Sequence, residues 1–439
     1  MFRLPWKRSG SPAPAPAPDF EGSAAPEMGA PAESRARTIY AARQPILGTT
    51  RDVMGYEILF RGSAENRFDG TDANLASATS IEQSTAVIGL DALVGNRTAF
   101  VNLTRDALLA GYHRMMPPER SVIELLENIQ PEPQVLEAIR AMRADGYKVA
   151  LDDYTFTAES EPLLDLIDIV KVDFRLSKQA CDPAALAGLK RRKLQLLAEK
   201  IETHEEHRAA TAAGYELFQG YFFCKPIMIE SRDLAPSKLS VLRFLSEVSR
   251  EDASFEKLEE LFKQDVSMTM RLLRYLNSAA FGWRHEIGSL RHALSLMGVR
   301  PLRKWAMMMG MMSLCDDQPG ELAVTALARG HFAERIGPPA GVVKQEVELF
   351  LTGMLSLADT MVGRPAQEVL GGLALPDSVR SAVLDGGNPL GSVLKVVTAY
   401  ERGDWAGVEA AGAARGLDDG TLNAAYVDSL AWAEATAQG

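Results

Sequence analysis

Short apolar runs alternate with helical stretches between residues 37 and 230, and this alternation limits the possible folds more than any other feature of the chain. The spacing predicts strands over Thr38–Ile46, Ala99–Leu103, Ser121–Leu126, Lys148–Leu151, Ile169–Val172, Gln195–Ala198 and Glu216–Tyr221. Amphipathic segments such as Pro133–Asp145 and Glu205–Ala213 lie between several of them. Each is followed by a glycine, Gly146 or Gly214, suited to a helix C-terminus. Near-continuous apolar strands separated by helices indicate a buried parallel sheet. The count is enough for a closed (β/α) barrel, and the pattern alone also admits an open doubly wound sheet.

The strand signal stops after Ser231–Ser237, which reads as a linker. Beyond it, Leu239, Leu242, Leu245 and Val248, then Phe255, Leu258, Leu261 and Phe262, fall at helical spacing. Asp265 and Ser289 are placed as N-caps, Gly298 closes a helix ending at Met297, and Pro301 is placed to open the next. The stretch 238–439 is therefore expected to be all-helical. Residues 1–36 are rich in Pro, Ala, Ser and Gly and read as a disordered tail.

A formal charge of −11 argues against bulk attraction to nucleic acid or to an anionic membrane. The three cysteines, Cys181, Cys224 and Cys315, are far apart and suggest neither a disulfide framework nor a zinc site. The N-terminal stretch runs into Pro and Ala without an apolar core, and no apolar run is long enough to span a bilayer. The expectation is a cytoplasmic protein.

Function is written at the strand ends. Glu57, Asn102, Glu124 with Glu127, Asp152–Asp153, Lys171 with Asp173, Glu199 with Glu202, and Gln219 follow one another at or near the ends of successive strands. In a barrel, the C-terminal ends of parallel strands share one rim, where catalytic groups gather. Carboxylates converging there repel unless a cation neutralises them. Hard oxygen donors without clustered His or Cys favour Mg²⁺ or Mn²⁺ over zinc.

The ordered set, Glu57-Ile-Leu59 with Arg61, FVNL with Asn102, IELLE, LDD, KVD, AEKIE and QGYFFCKP, resembles the EAL family of cyclic di-GMP phosphodiesterases over about residues 37–230. The resemblance implies a (β/α)8-like barrel that cleaves cyclic di-GMP to linear pGpG. It implies that Glu57, Asn102, Glu124 and Asp152 hold one divalent ion, with Asp152 and Asp153 helping to place a second. Lys171 would orient water or balance charge, Glu199 would act as base or water-positioning partner, Glu202 would complete the catalytic groups, and Arg61 and Gln219 would contact substrate. Two departures bear on turnover. The family's Phe-Gly-Thr-Gly after the aspartate pair becomes Tyr154-Thr-Phe-Thr157, removing glycines that reach positive φ freely, and its Glu-Gly-Val-Glu becomes Glu199-Lys-Ile-Glu202. A receptor that binds the nucleotide without cleaving it is the alternative.

The helical half resembles the HDOD domain, a relative of the HD hydrolases, through Leu258–Val266, Leu272–Ser278 and Ile287–Gly298. Ser356-Leu357 lies where an HD hydrolase would show its His-Asp pair. This resemblance implies a regulatory half that binds a protein partner and has no chemistry of its own; a homodimer is compatible with it. His292 reads as a capped or half-buried structural histidine, and Met307–Met312 as core packing.

Overall fold

The computed structural model describes residues 40–61, 90–177, 179–225, 236–250, 287–315 and 318–438, with isolated positions between 256 and 277. The expected tail and the proposed cap Asp265 lie outside the described residues.

Eight strands close in chain order into a barrel: β1 (Tyr40–Gly48), β2 (Val53–Arg61), β3 (Thr98–Leu103), β4 (Ser121–Leu125), β5 (Lys148–Leu151), β6 (Ile169–Asp173), β7 (Gln195–Glu199) and β8 (Leu217–Gln219). Two expectations are corrected. β2 is a strand that the apolar-run pattern missed, because its inward face carries Gly55 and Glu57 instead of apolar side chains. The sheet is also not wholly parallel: β1 runs antiparallel to both β2 and β8. The cause is the tight turn after Gly48, closed by Arg51 N–H to Gly48 O and Gly48 N–H to Asp52 O, which is too short for a parallel crossover.

Inside the barrel, strand alternation builds two stacked layers. Ile46, Phe100, Val122, Ala150, Ile169, Leu197 and Leu217 form a buried apolar plug. On β3 to β8, the inward residue two positions later is Asn102, Glu124, Asp152, Lys171, Glu199 and Gln219. A period of two keeps both sets on one face, so the polar layer rests directly on the plug. β2 joins at Gly55, where a Cβ would stand 2.8 Å from the Phe100 ring. That phenyl fills the place of a β2 side chain, and Glu57 follows two residues later. Outward residues such as Val101, Ile123, Val149 and Val170 belong to the main core with Val135, Ile139 and Met142 of the helix Pro133–Ala144. Gly146 and Gly214 take φ of +93° at helix ends, as expected. Thr203 and Glu206 form a capping box on the helix His204–Ala213.

The second half is helical in its described residues from Pro236 onward, so the first helix (Pro236–Ser249) begins inside the expected linker. Ser289 Oγ accepts from His292 N–H at the start of the helix Leu290–Met297, so His292 is capped as one of its two readings had it, while its exposure corrects the other, half-buried one. Asn277 clamps the chain at Ile287 through both its side-chain atoms. Met307, Met308, Met309 and Met311 are buried in the helix Val299–Ser313, as core packing requires. The helices Gly320–Ile336 and Glu346–Leu355 meet glycine to glycine: a Cβ on Gly353 would lie 2.6 Å from the Gly330 Cα and 2.5 Å from Arg329 O.

Barrel and helices belong to one compact unit, joined by a buried polar seam. Arg43 on β1 donates to Glu434 (2.8 Å) and to Leu93 O (2.7 Å), and its guanidinium lies 3.9 Å over the Tyr56 ring. The Tyr56 hydroxyl donates to Glu321 at 2.9 Å, and Tyr221 donates to Glu401 O at 2.8 Å. Burial pushes the Glu321 carboxyl up to about 7.

Candidate active site at the barrel rim

The polar layer converges on one ammonium. Lys171 Nζ, fully buried on β6, lies 2.8 Å from Asp152, 2.9 Å from Glu124, 3.0 Å from Glu199 and 3.3 Å from Glu57. Glu57 also accepts from Asn102 Nδ2 at 2.8 Å and from Gln219 Nε2 at 2.6 Å, and Gln219 reaches Gln44 on β1 at 2.9 Å. Residues on or directly after all eight strands thus share one site. Gln44 was not foreseen; a glutamine two residues before the plug residue Ile46 was its only signal.

Burial opposes the charge on Lys171, but the carboxylates of Glu124, Glu57, Glu199 and Asp152 raise its pKa well above the ordinary value. Burial works on the acids too. It raises Glu124 well above the usual range, raises Asp152, and pushes Glu199 up to about 8. Glu57 goes the other way, because Lys171 and the amides of Gln219 and Asn102 outweigh its burial and hold it below the usual value. Without a further cation, the Lys171 ammonium and the proton retention that burial favours on Glu124 and Glu199 offset only part of the ring's negative charge.

Several oxygens in this layer are left over. Asn102 Oδ1, both Glu124 oxygens, Asp152 Oδ1 and Glu199 Oε2 are buried and accept no hydrogen bond, although Glu124 and Asp152 stand at ion-pair distance from Lys171. Buried oxygens without donors are costly unless something else binds them. Among the described residues no three His, Cys, Asp or Glu side chains already close on a single point, since Lys171 occupies that centre. The set is nonetheless of the right kind for a hard divalent ion, and its unused oxygens fit one.

Not every expected site residue joins this cluster. Asp153 turns outward with φ of +42° and pairs with Lys200 at 3.3 Å; Lys200 also holds Asp173 at 2.7 Å. Glu202 is half-exposed and pairs with Arg175 and Lys225, and Glu127 is exposed. Arg61 ends β2, and its side chain lies outside the described residues. The loop without glycines still reaches positive φ, at Asp153 and at Phe156 (+58°), and Lys200 does so at +57°. Each such residue costs about 1 kcal/mol or more. Tyr154 anchors the loop, with its N–H on Lys171 O at 2.9 Å and its ring 4.7 Å from that of Phe156.

The family model for the EAL domain matches residues 94–226, and that for the HDOD domain matches residues 234–364. The cyclic di-GMP phosphodiesterase CdgJ of Vibrio cholerae is 30% identical over 414 residues, 93% of this chain and 95% of that protein. The chain belongs to the EAL–HDOD family. A second relative, the uncharacterized protein YuxH of Bacillus subtilis, is 30% identical over 402 residues, 90% of this chain and 98% of that one. Among solved structures, the c-di-GMP-bound standalone EAL protein of Vibrio cholerae is 26% identical and covers 44% of this chain and 93% of its own, with a TM-score of 0.36. Klebsiella pneumoniae BlrP1 with calcium and cyclic di-GMP is 24% identical, covering 45% and 58%, with a TM-score of 0.37. The EAL match begins at Val94, after β2, so Glu57 enters the site through the barrel register and not through the matched span. In the HDOD half, Ser356 takes a hydrogen bond from Arg329 at 2.8 Å, and Arg329 forks onto Glu401. No helix of the described residues is long and apolar enough to cross a membrane.

Proposed function

We propose that this chain is a divalent-ion-dependent phosphodiesterase that opens cyclic di-GMP to pGpG at the barrel rim. The observation that carries this reading is the buried set of Glu57, Glu124 and Asp152 around Lys171, with Asn102 bonded to Glu57, in which Asn102 Oδ1 and Glu124 Oε2 accept no hydrogen bond. These four side chains would hold Mg²⁺ or Mn²⁺. Once bound, the ion would supply Lewis acidity toward a phosphoryl oxygen and lower the pKa of water.

The chain's own groups do the rest. Glu199, which burial raises to about 8, is placed to take a proton from attacking water in its ionised form, a form that grows as pH rises through 8. Lys171 keeps the four acids in register and offers its charge to the phosphodiester as negative charge accumulates. Gln219 and Asn102 fix the orientation of the Glu57 carboxylate from both sides. Arg61, one turn of β-register beyond Leu59, is the proposed phosphate contact, with the planar donors that suit it. The HDOD half is the proposed partner-binding surface.

A specific feature favours a receptor as second reading: the loop after Asp153 turns that carboxylate away from the ring. Turnover decides. With Mn²⁺ or Mg²⁺, the purified chain should convert cyclic di-GMP to pGpG, and Glu57→Ala should abolish this. Hydrolysis unchanged in Glu57→Ala removes the ligand assignment.

A further inference from the structure

The carboxylates of the rim fall into two groups, each organised by one lysine. The inner group sets four acids, Glu57, Glu124, Asp152 and Glu199, against the single charge of Lys171, and several of its oxygens lack donors. The outer group sets only Asp153 and Asp173 against Lys200. Its oxygens are far better served. Asp173 Oδ1 accepts from the backbone N–H groups of Arg175 and Leu176, both at 2.9 Å, and Oδ2 accepts from Lys200 at 2.7 Å. Neither Asp153 nor Asp173 has a buried oxygen without a partner, whereas the completely buried Glu124 has Oε2 unpartnered and only the shared Lys171 ammonium at Oε1.

The position of Lys200 is built into the backbone. It follows Glu199 directly, and its φ of +57° sends its side chain outward while Glu199 points in. That conformation disfavours any residue with a Cβ, yet a lysine stands there, with its ammonium between the two outer carboxylates. Asp153 is turned toward it by its own positive φ. Asp152 and Asp153, adjacent in sequence, are therefore divided between the two lysines.

Like charges at such a distance exclude one another. A divalent ion drawn to Asp153 would have to sit beside the Lys200 ammonium, whereas one drawn to Glu124 and Asp152 finds an excess of negative charge. We infer that Lys200 is a resident cation that fills the outer carboxylate position and limits the rim to one divalent ion, held by the inner ring. This rests on the inner ring taking a divalent ion, as in the function proposed above.

Ion stoichiometry tests it without reference to turnover. The full chain, stripped with a chelator, is titrated with Mn²⁺ alone in a calorimeter at pH 8, and the free ion is followed in parallel by electron paramagnetic resonance. One ion per chain is expected for the natural sequence and two for Lys200→Gly. Lys200→Met, which removes the charge but keeps the Cβ, should also take two, and it serves if the glycine variant folds poorly. Two ions in the natural chain overturn this inference and leave the inner ring standing. One ion in both variants, with circular dichroism unchanged, overturns it as well. No ion in any of the three overturns the inner-ring reading and this inference together.

Discussion

Replacing Lys171 with methionine keeps a side chain of similar length and removes the one charge on which four acids converge. In the natural protein that ammonium and two amides hold Glu57 ionised below the usual range. In the variant Glu57 keeps only the amides of Asn102 and Gln219, inside a fully buried site. Stripping one partner from a buried ion pair costs about 3–5 kcal/mol. The loss should depend on pH in a definite sense. Without Lys171 the folded-state pKa of Glu57 moves above its unfolded value, so the unfolded chain releases the proton first and stability falls as pH rises through that interval. One such carboxyl is worth at most about 1.4 kcal/mol per pH unit, so lowering the pH from 8 to 6 should recover part of the loss. Glu199, already near 8, gives the natural protein a slope of the same sign, and because Lys171 also holds down Glu124, Asp152 and Glu199, the steeper slope of the variant reports the ring as a whole. Urea unfolding with chelator present, followed by circular dichroism at pH 6, 7 and 8, measures both quantities. A destabilisation below about 1 kcal/mol at pH 8, or an equal one at pH 6 and pH 8, would refute the charge balance assigned to this ring.

Two further substitutions probe the scaffold. Tyr56→Phe removes the hydroxyl that donates to Glu321 across the seam between barrel and helices, which should cost about 1–3 kcal/mol. Because Glu321 titrates near 7 from burial, the deficit in unfolding free energy should be larger at pH 8 than at pH 6, and an equal deficit would contradict it. Gly353→Ala places a methyl 2.5 Å from Arg329 O and should cost about 1–3 kcal/mol by forcing two helices apart. An unchanged thermal midpoint would mean that this contact is looser than drawn.

Much of the barrel was legible because its information is local. Each of β3 to β8 carries its own apolar run, and residues two apart share a face, so Phe100 and Asn102, or Leu197 and Glu199, announce both plug and site. β2 was harder to read because the place of its plug residue is taken by Phe100 from the next strand, leaving a glycine where an apolar signal would be. The reversal of β1 rests on a turn of a few residues, which a count of strands does not register. The division of Asp152 from Asp153 depends on backbone φ, and substitution of the family glycines suggested that positive φ would be lost. The chain instead adopts it at Asp153, Phe156 and Lys200, held by the Tyr154 anchor and the Lys200 ion pairs. The seam was the least legible. Arg43 meets Glu434, and Tyr56 meets Glu321, across hundreds of residues, and only a lone arginine in an apolar strand hinted that an acid must be supplied from elsewhere.

The most direct test of the central claim is a single-turnover experiment, with the full chain in excess over cyclic di-GMP and the nucleotides separated by chromatography, with Mn²⁺ or with chelator. The account predicts pGpG with Mn²⁺ and intact cyclic di-GMP with chelator. Cyclic di-GMP that is bound with Mn²⁺ present, yet recovered whole, would contradict it and identify the barrel as a receptor.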